Sequence, residues 1–225
     1  MKKIVILSEK TWHLELFENC KRKLPDYDFI LIDNKNKFNS KNLENIKPYK
    51  IFIPHWSYLI PKAIFSNYDC VLFHMTDLPY GRGGSPLQNL IKMGFSETKV
   101  TALLVVEKID SGPIYLKKKL LLNGSAKEIF LRASKIIESM IIEIIKKKLK
   151  PKKQIGRPTY FKRRGPDQSE MKNFNNILEI YDHIRMLDCE GYPKAFIKIN
   201  EFKLEFENAL IENEQIITNV RITKG

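Results

Sequence analysis

The chain has 225 residues, 43% of them hydrophobic, with 13 Phe and 9 Tyr; that is enough apolar side chain for one substantial domain plus a small appendage and argues against disorder. No apolar run reaches the ~20 residues of a membrane span, and three scattered cysteines, Cys20, Cys70 and Cys189, argue against a disulfide framework or a cysteine-based zinc site. The formal net charge is +13, but only 8 of the 39 basic residues are arginine and the lysines run along the whole chain, so generic lysine enrichment is preferred over a dedicated nucleic-acid surface.

Met1-Lys2-Lys3 followed by Ile4-Val5-Ile6-Leu7 begins as a signal peptide would. The apolar part stops at Ser8-Glu9-Lys10, which is too short for an h-region and suits a first buried strand over 2–8, so a cytoplasmic location is expected. A helix is predicted over 10–24, a second strand at Phe29–Ile32, and a short helix from Ser40, read as its cap, through Leu43. The third strand is predicted at Tyr49–Trp56 and the fourth at Cys70–His74. Strands this apolar, broken by helices, point to a parallel sheet covered on both faces.

After the fourth strand comes Asp77-Leu78-Pro79-Tyr80-Gly81-Arg82-Gly83-Gly84-Ser85-Pro86. Ser85 reads as an N-cap and Pro86 as the first helical residue, predicting a helix to Met93. Strands over 99–109 and 113–122 follow, separated by Asp110-Ser111-Gly112. Ser125 then caps a long helix to about Leu149, whose isoleucines form an apolar stripe. Beyond Pro151 come a basic, turn-rich link (156–166), a helix near 174–188, and short alternating strands over 192–223. The fold class is α/β: a Rossmann-like, mostly parallel sheet with helices on both faces, plus a small C-terminal α+β extension. The expected division is 1–155, a catalytic domain, and 156–225, a helix with a small β subdomain.

Ligands of open parallel sheets bind outside the carboxyl ends of the strands. His74 sits at such an end, and Asp110 follows the apolar strand Ala102–Val106, so the two are expected to share one crevice. The histidines lack the close spacing of metal ligands, and no metal is expected. The glycine-rich loop has neither P-loop nor dinucleotide spacing. On spacing alone the residues say only α/β enzyme with a His–Asp pair.

Phe73–Gln88 as a block resembles the active-site strand and loop of the folate-dependent formyltransferases. Ile109–Ile114 resembles that family's second motif, in which an aspartate precedes a small residue and a glycine. Pro54–Pro61 is similar to the segment flanking the pterin pocket, and Arg163–Ser169 to a later basic segment. Tyr181–Phe206 is similar to the C-terminal part of the sugar-nucleotide branch, and the His-Met-Thr-Asp-Leu-Pro-Tyr-Gly-Arg-Gly-Gly-Ser-Pro string most resembles the formyltransferase of pseudaminic acid biosynthesis.

The resemblance implies formyl transfer from N10-formyltetrahydrofolate to the free amine of a UDP-linked amino sugar. It assigns catalysis to His74 and Asp110, pterin binding to Ser57, Tyr58, Leu59, Ile60 and Asp110, and acceptor binding to Arg82, Gly83, Gly84, Tyr192, Lys194 and Phe196. Neither nucleic acid nor membrane is expected as a partner, and a homodimer is compatible with the apolar C-terminal strands. The alternatives are methionyl-tRNA formyltransferase-like activity and a non-catalytic folate- or nucleotide-binding protein. One residue departs from the family pattern: Leu72 stands where an asparagine donor precedes the histidine by two. A backbone N–H, a water, or the hydroxyl of Thr76 or Thr101 is expected to replace it.

Overall fold

A computed structural model describes residues 1–224. In chain order the elements are β1 (Lys2–Ser8), α1 (Leu14–Lys23), β2 (Tyr27–Ile32), α2 (Ser40–Ile46), β3 (Lys50–His55), α3 (Lys62–Phe65), β4 (Cys70–His74), β5 (Arg82–Gly83), α4 (Pro86–Lys92), β6 (Glu97–Leu104), β7 (Ile114–Leu121), α5 (Ala126–Lys146), β8 (Tyr160–Phe161), α6 (Ile177–Arg185), β9 (Ala195–Ile199), β10 (Phe202–Glu212) and β11 (Gln215–Lys224).

The chain divides into two compact units. The first holds Met1–Arg82, Lys99–Leu120 and Leu131–Tyr160; the second holds Gly83–Thr98, Leu121–Phe130 and the residues from Phe161 onwards. The six-stranded sheet has the order β2-β1-β3-β4-β6-β7. β1 pairs in parallel with β2 and β3, and β3 with β4, whereas β6 runs antiparallel to β4. The expected mostly parallel α/β sheet is therefore present.

The central strand explains the sequence pattern. Ile4, Val5, Ile6 and Leu7 are fully buried, as a parallel strand covered on both faces requires. Val5 and Leu7 share one cluster with Ile32, Leu43, Ile51, Ile53 and Ile64; the alternate residues Ile4 and Ile6 face the other side. Glu138 of α5 accepts hydrogen bonds from Asn19 (2.9 Å) and Lys23 (2.6 Å) of α1.

Capping differs in two places. α2 is capped by Asn39, whose side chain accepts the Asn42 N–H at 2.9 Å, not by Ser40. Ser85 lies in the left-handed region at φ 50° and makes no side-chain cap; its hydroxyl instead accepts the Arg164 N–H at 3.1 Å. α5 begins as expected: the Ser125 N–H donates to Glu128 (2.7 Å) while the Ser125 hydroxyl accepts the Glu128 N–H (3.3 Å), a capping box.

In the second unit β9, β10 and β11 form an antiparallel sheet. The Arg185 guanidinium of α6 donates to the carbonyls of Leu122 (2.5 Å) and Gly124 (2.8 Å). Ile199, Phe202, Val220 and Ile222 stay exposed on this sheet.

The Ser8 hydroxyl, at the carboxyl end of β1, faces His13 Nδ1 at 2.7 Å and accepts the Lys10 N–H. Burial, aided by His55 and Lys10, lowers the His13 pKa to about 3. The unfolded chain, with an ordinary histidine, binds a proton between about pH 3 and 6.5 that the folded chain does not. Stability therefore rises with pH through this window and is lost as pH falls, by about 1.4 kcal/mol per unit. Urea unfolding between pH 4.5 and 7 should give His13→Gln a slope of stability against pH shallower by about one proton; equal slopes would contradict a neutral, buried His13.

Candidate active site

His74 closes β4 with both ring nitrogens engaged. Nε2 lies 2.8 Å from the carbonyl of Gly81, and a carbonyl only accepts, so Nε2 carries the hydrogen. Nδ1 lies 3.7 Å from Asp110 Oδ2, with both side chains only 7% exposed. That separation is too long for a direct hydrogen bond and short enough for a strong charge interaction with a protonated imidazole.

Asp110 does not arrive by the expected route. β6 is antiparallel to β4 and pairs Thr101 with His74 and Leu104 with Val71, so β6 ends beside the start of β4. The segment 105–112 brings Asp110 back to His74. Asp110 adopts φ 49°, and a Cβ on Gly112 would lie 1.7 Å from the Leu104 carbonyl oxygen. The turn therefore needs glycine at 112.

Gln154 locks the same turn. Its amide donates to the carbonyls of Asp110 and Gly112, both at 2.8 Å, and its carbonyl accepts from Arg82 at 2.7 Å. Sequence reasoning missed Gln154 because it lies 44 residues from Asp110 and 72 from Arg82, with no local pattern to mark it.

The loop after His74 is fixed from the other side. The Asp77 carboxylate meets Lys117 (2.5 Å) and Lys99 (2.9 Å), and Lys117 also donates to the Leu78 carbonyl. Burial pushes the Asp77 pKa up, but the hydrogen bonds from the two lysines outweigh it and hold it below the usual carboxylate value.

Leu72 offers no polar atom, and packs against the apolar cluster of β1 and β3. The two hydroxyls expected to replace the missing donor are both engaged. Thr101 donates to the Thr76 carbonyl at 2.6 Å, and Thr76 to the Gly81 carbonyl at 3.3 Å; both residues are fully buried. Neither reaches an oxyanion without first giving up a backbone partner.

The remaining expected residues lie as follows. Ile60 packs on the apolar cluster of the first unit, whereas Tyr58 and Leu59 are exposed, Leu59 at 79%. Trp56 meets Tyr58 edge-on at 5.3 Å, and Lys35 Nζ sits 4.3 Å over the Tyr58 ring; Ser57 lies in a bend between them.

In the second unit, Gly83 has φ +105° and a Cβ there would lie 2.4 Å from the Phe161 carbonyl oxygen; the Gly84 N–H donates to that carbonyl at 3.3 Å. The close backbone approach that glycine permits is thus made to the chain itself. Tyr192 stacks on Phe130 at 5.5 Å. Lys194 is paired with Asp188 (2.6 Å) and Glu207 (3.0 Å), and the Phe196 ring lies 4.7 Å under Lys203 Nζ. Lys194 therefore already has two carboxylate partners.

A solved structure named methionyl-tRNA formyltransferase, from Clostridium thermocellum, is 47% identical to this chain, covers 100% of both chains and superposes with a TM-score of 0.97. The chain belongs to the methionyl-tRNA formyltransferase-like family. A family profile described as the C-terminal domain of methionyl-tRNA formyltransferase matches residues 166–223. A curated methionyl-tRNA formyltransferase from Wolbachia pipientis subsp. Culex pipiens is 27% identical over 185 residues, covering 79% of this chain and 60% of the relative. The chain thus spans about 60% of that relative's length. A sugar N-formyltransferase from a Shewanella species covers 94% of this chain and 100% of its own with a TM-score of 0.73, but at 15% identity, a likeness of fold alone.

Replacing Gly112 by Ala should displace the Asp110 turn and destabilise the protein by about 1–3 kcal/mol, the usual cost of forcing an atom into a packed interior. Urea unfolding measures this, and an unaltered midpoint would mean the turn has room that its geometry denies.

Proposed function

We propose that this chain transfers the formyl group of N10-formyltetrahydrofolate to a primary amine, and that the acceptor is an aminoacyl-tRNA of the kind named in its relatives. The observation that carries the reading is His74 Nδ1 facing Asp110 Oδ2 at 3.7 Å in a buried setting. Membership of the family supports the reaction class, and the relatives' names favour tRNA over the sugar nucleotide expected from the sequence. The expectation of no nucleic-acid partner gives way with it, and the net charge of +13 suits an anionic acceptor.

The exposed Tyr58 and Leu59, with Lys35 beside the Tyr58 ring, present an aromatic and apolar face flanked by a cation. That surface fits a flat heterocycle bearing carboxylates, so Ser57–Ile60 would hold the folate. When bound, the folate supplies an activated formyl carbon.

The chain's own residues handle the proton. Nε2–H is committed to Gly81, so Nδ1 is the basic atom. Nδ1 would take the proton that the attacking amine loses and return it to the folate nitrogen as that nitrogen's bond to the formyl carbon breaks, and the Asp110 carboxylate would stabilise the imidazolium in between. Burial of both side chains keeps water from weakening that interaction.

A sugar-linked amine is the second reading, favoured by the likeness of His74–Pro86 and Tyr181–Phe206 to the sugar-nucleotide branch. Mass spectrometry after incubation with N10-formyltetrahydrofolate and either methionyl-tRNA or UDP- and dTDP-linked amino sugars separates the two. One formyl group should appear on methionyl-tRNA, and His74→Ala should slow its appearance by ~100-fold or more. Formylation of sugars alone would install the second reading. No product from any acceptor, with folate still bound, would leave a binding protein.

A further inference from the structure

Arg82 is 7% exposed, and no carboxylate pairs with its guanidinium among the described residues. One terminal nitrogen donates to Gln154 at 2.7 Å, the other approaches the Tyr160 hydroxyl at 3.4 Å, and Nε has no partner. A buried cation without a counter-charge is costly, and such groups are normally paired. Its two nearest acidic neighbours in sequence are already engaged: Asp77 with Lys99 and Lys117, and Asp69 with Lys50.

A second cation converges on the same phenol. Lys108 Nζ lies 5.9 Å from the Tyr160 ring centroid and Arg82 Cζ 6.0 Å. Hydrogen bonds from Arg82 first and Lys108 second lower the Tyr160 pKa below its ordinary value. Two cations thus flank one phenol, on a residue that is 56% exposed and so able to turn outward. Gln154 joins this cluster to the Asp110 carbonyl, and the Gly81 carbonyl next to Arg82 holds His74.

We propose that Arg82 and Lys108 form a receptor for a phosphoryl group of the formyl acceptor, with the Tyr160 hydroxyl occupying the place that a phosphate oxygen takes. The fork of the two terminal guanidinium nitrogens suits two phosphate oxygens, and Lys108 adds a flexible point charge. The inference rests on the formyl-transfer reading for the identity of its ligand. The shared chemistry is a phosphate ester or diphosphate, whether the terminal phosphodiester of a tRNA or the diphosphate of a sugar nucleotide.

Calorimetric titration of the full chain with inorganic pyrophosphate tests the receptor without turnover. Pyrophosphate should bind, and Lys108→Gln, an exposed substitution, should weaken it by about tenfold, the worth of one charge-assisted hydrogen bond. Arg82→Lys should weaken it as well, because charge remains and the fork is lost. Tyr160→Phe should leave binding equal or tighter, since the phenol only holds the place. Each variant's thermal midpoint is measured alongside.

No binding by the native protein, or equal affinity in folded Lys108→Gln and Arg82→Lys, would overturn the receptor. So would a loss of affinity in Tyr160→Phe. Repeating the titration with uridine diphosphate and with a short RNA hairpin ending in an acceptor strand names the source: the probe whose affinity depends on Lys108 carries the phosphate, and dependence in neither overturns the proposal. Arg82-dependent binding in a protein that formylates nothing would sink the proposed reaction and leave the receptor standing. Formylation with pyrophosphate binding indifferent to both cations would do the reverse.

Discussion

The Gly81 carbonyl is the point on which the site's geometry turns. It accepts from His74 Nε2 at 2.8 Å and from the Thr76 hydroxyl at 3.3 Å, while the Gly81 N–H donates to Thr159 at 2.7 Å. Gly81 reaches this position at φ 71°, a conformation that glycine adopts without strain. With Nε2 so occupied, the tautomer of His74 is set and Nδ1 is left facing Asp110. The loop is itself held from behind, by Lys117 on Asp77 and on the Leu78 carbonyl. The reactive histidine is therefore oriented by backbone rather than by a second side chain.

Charge is arranged less evenly than composition implies. The basic excess is large, yet many lysines have local partners: Lys50 with Asp69, Lys99 and Lys117 with Asp77, and Lys194 with Asp188 and Glu207. Most of these pairs are partly exposed and worth little individually. Arg82 differs because it is buried and pairs with no carboxylate among the described residues. A net charge of +13 does not say where such a site lies, whereas one uncompensated guanidinium does.

The strands of the parallel half were legible because burial on both faces leaves an unbroken apolar run, as in Ile4–Leu7 and Ile51–Ile53. Local polar choices were harder to read. Asn39 and Ser40 are adjacent capping side chains, and only the position of the first helical turn decides between them. Ser85 looked like a cap, but its left-handed backbone points its hydroxyl to Arg164 instead. His74 and Asp110 lie together as expected, although the expected strand-end crevice was the wrong reason for Asp110, since an antiparallel β6 ends at the other side. Gln154, Tyr160 and Lys108 left no signal, because their roles come from contacts dozens of residues apart. The expected stand-ins for an oxyanion donor, Thr76 and Thr101, failed for a reason sequence does not carry: which carbonyl each hydroxyl already faces.

The account depends on His74 presenting Nδ1 to Asp110 while Nε2–H is held by Gly81. Long-range 15N–1H correlation spectroscopy on protein labelled at its four histidines reads this directly. The account predicts a hydrogen on Nε2 of His74, protected from exchange with solvent as a buried hydrogen bond requires. A His74 ring protonated on Nδ1 alone, with Nε2 bare, would contradict the geometry from which the proposed proton transfer follows.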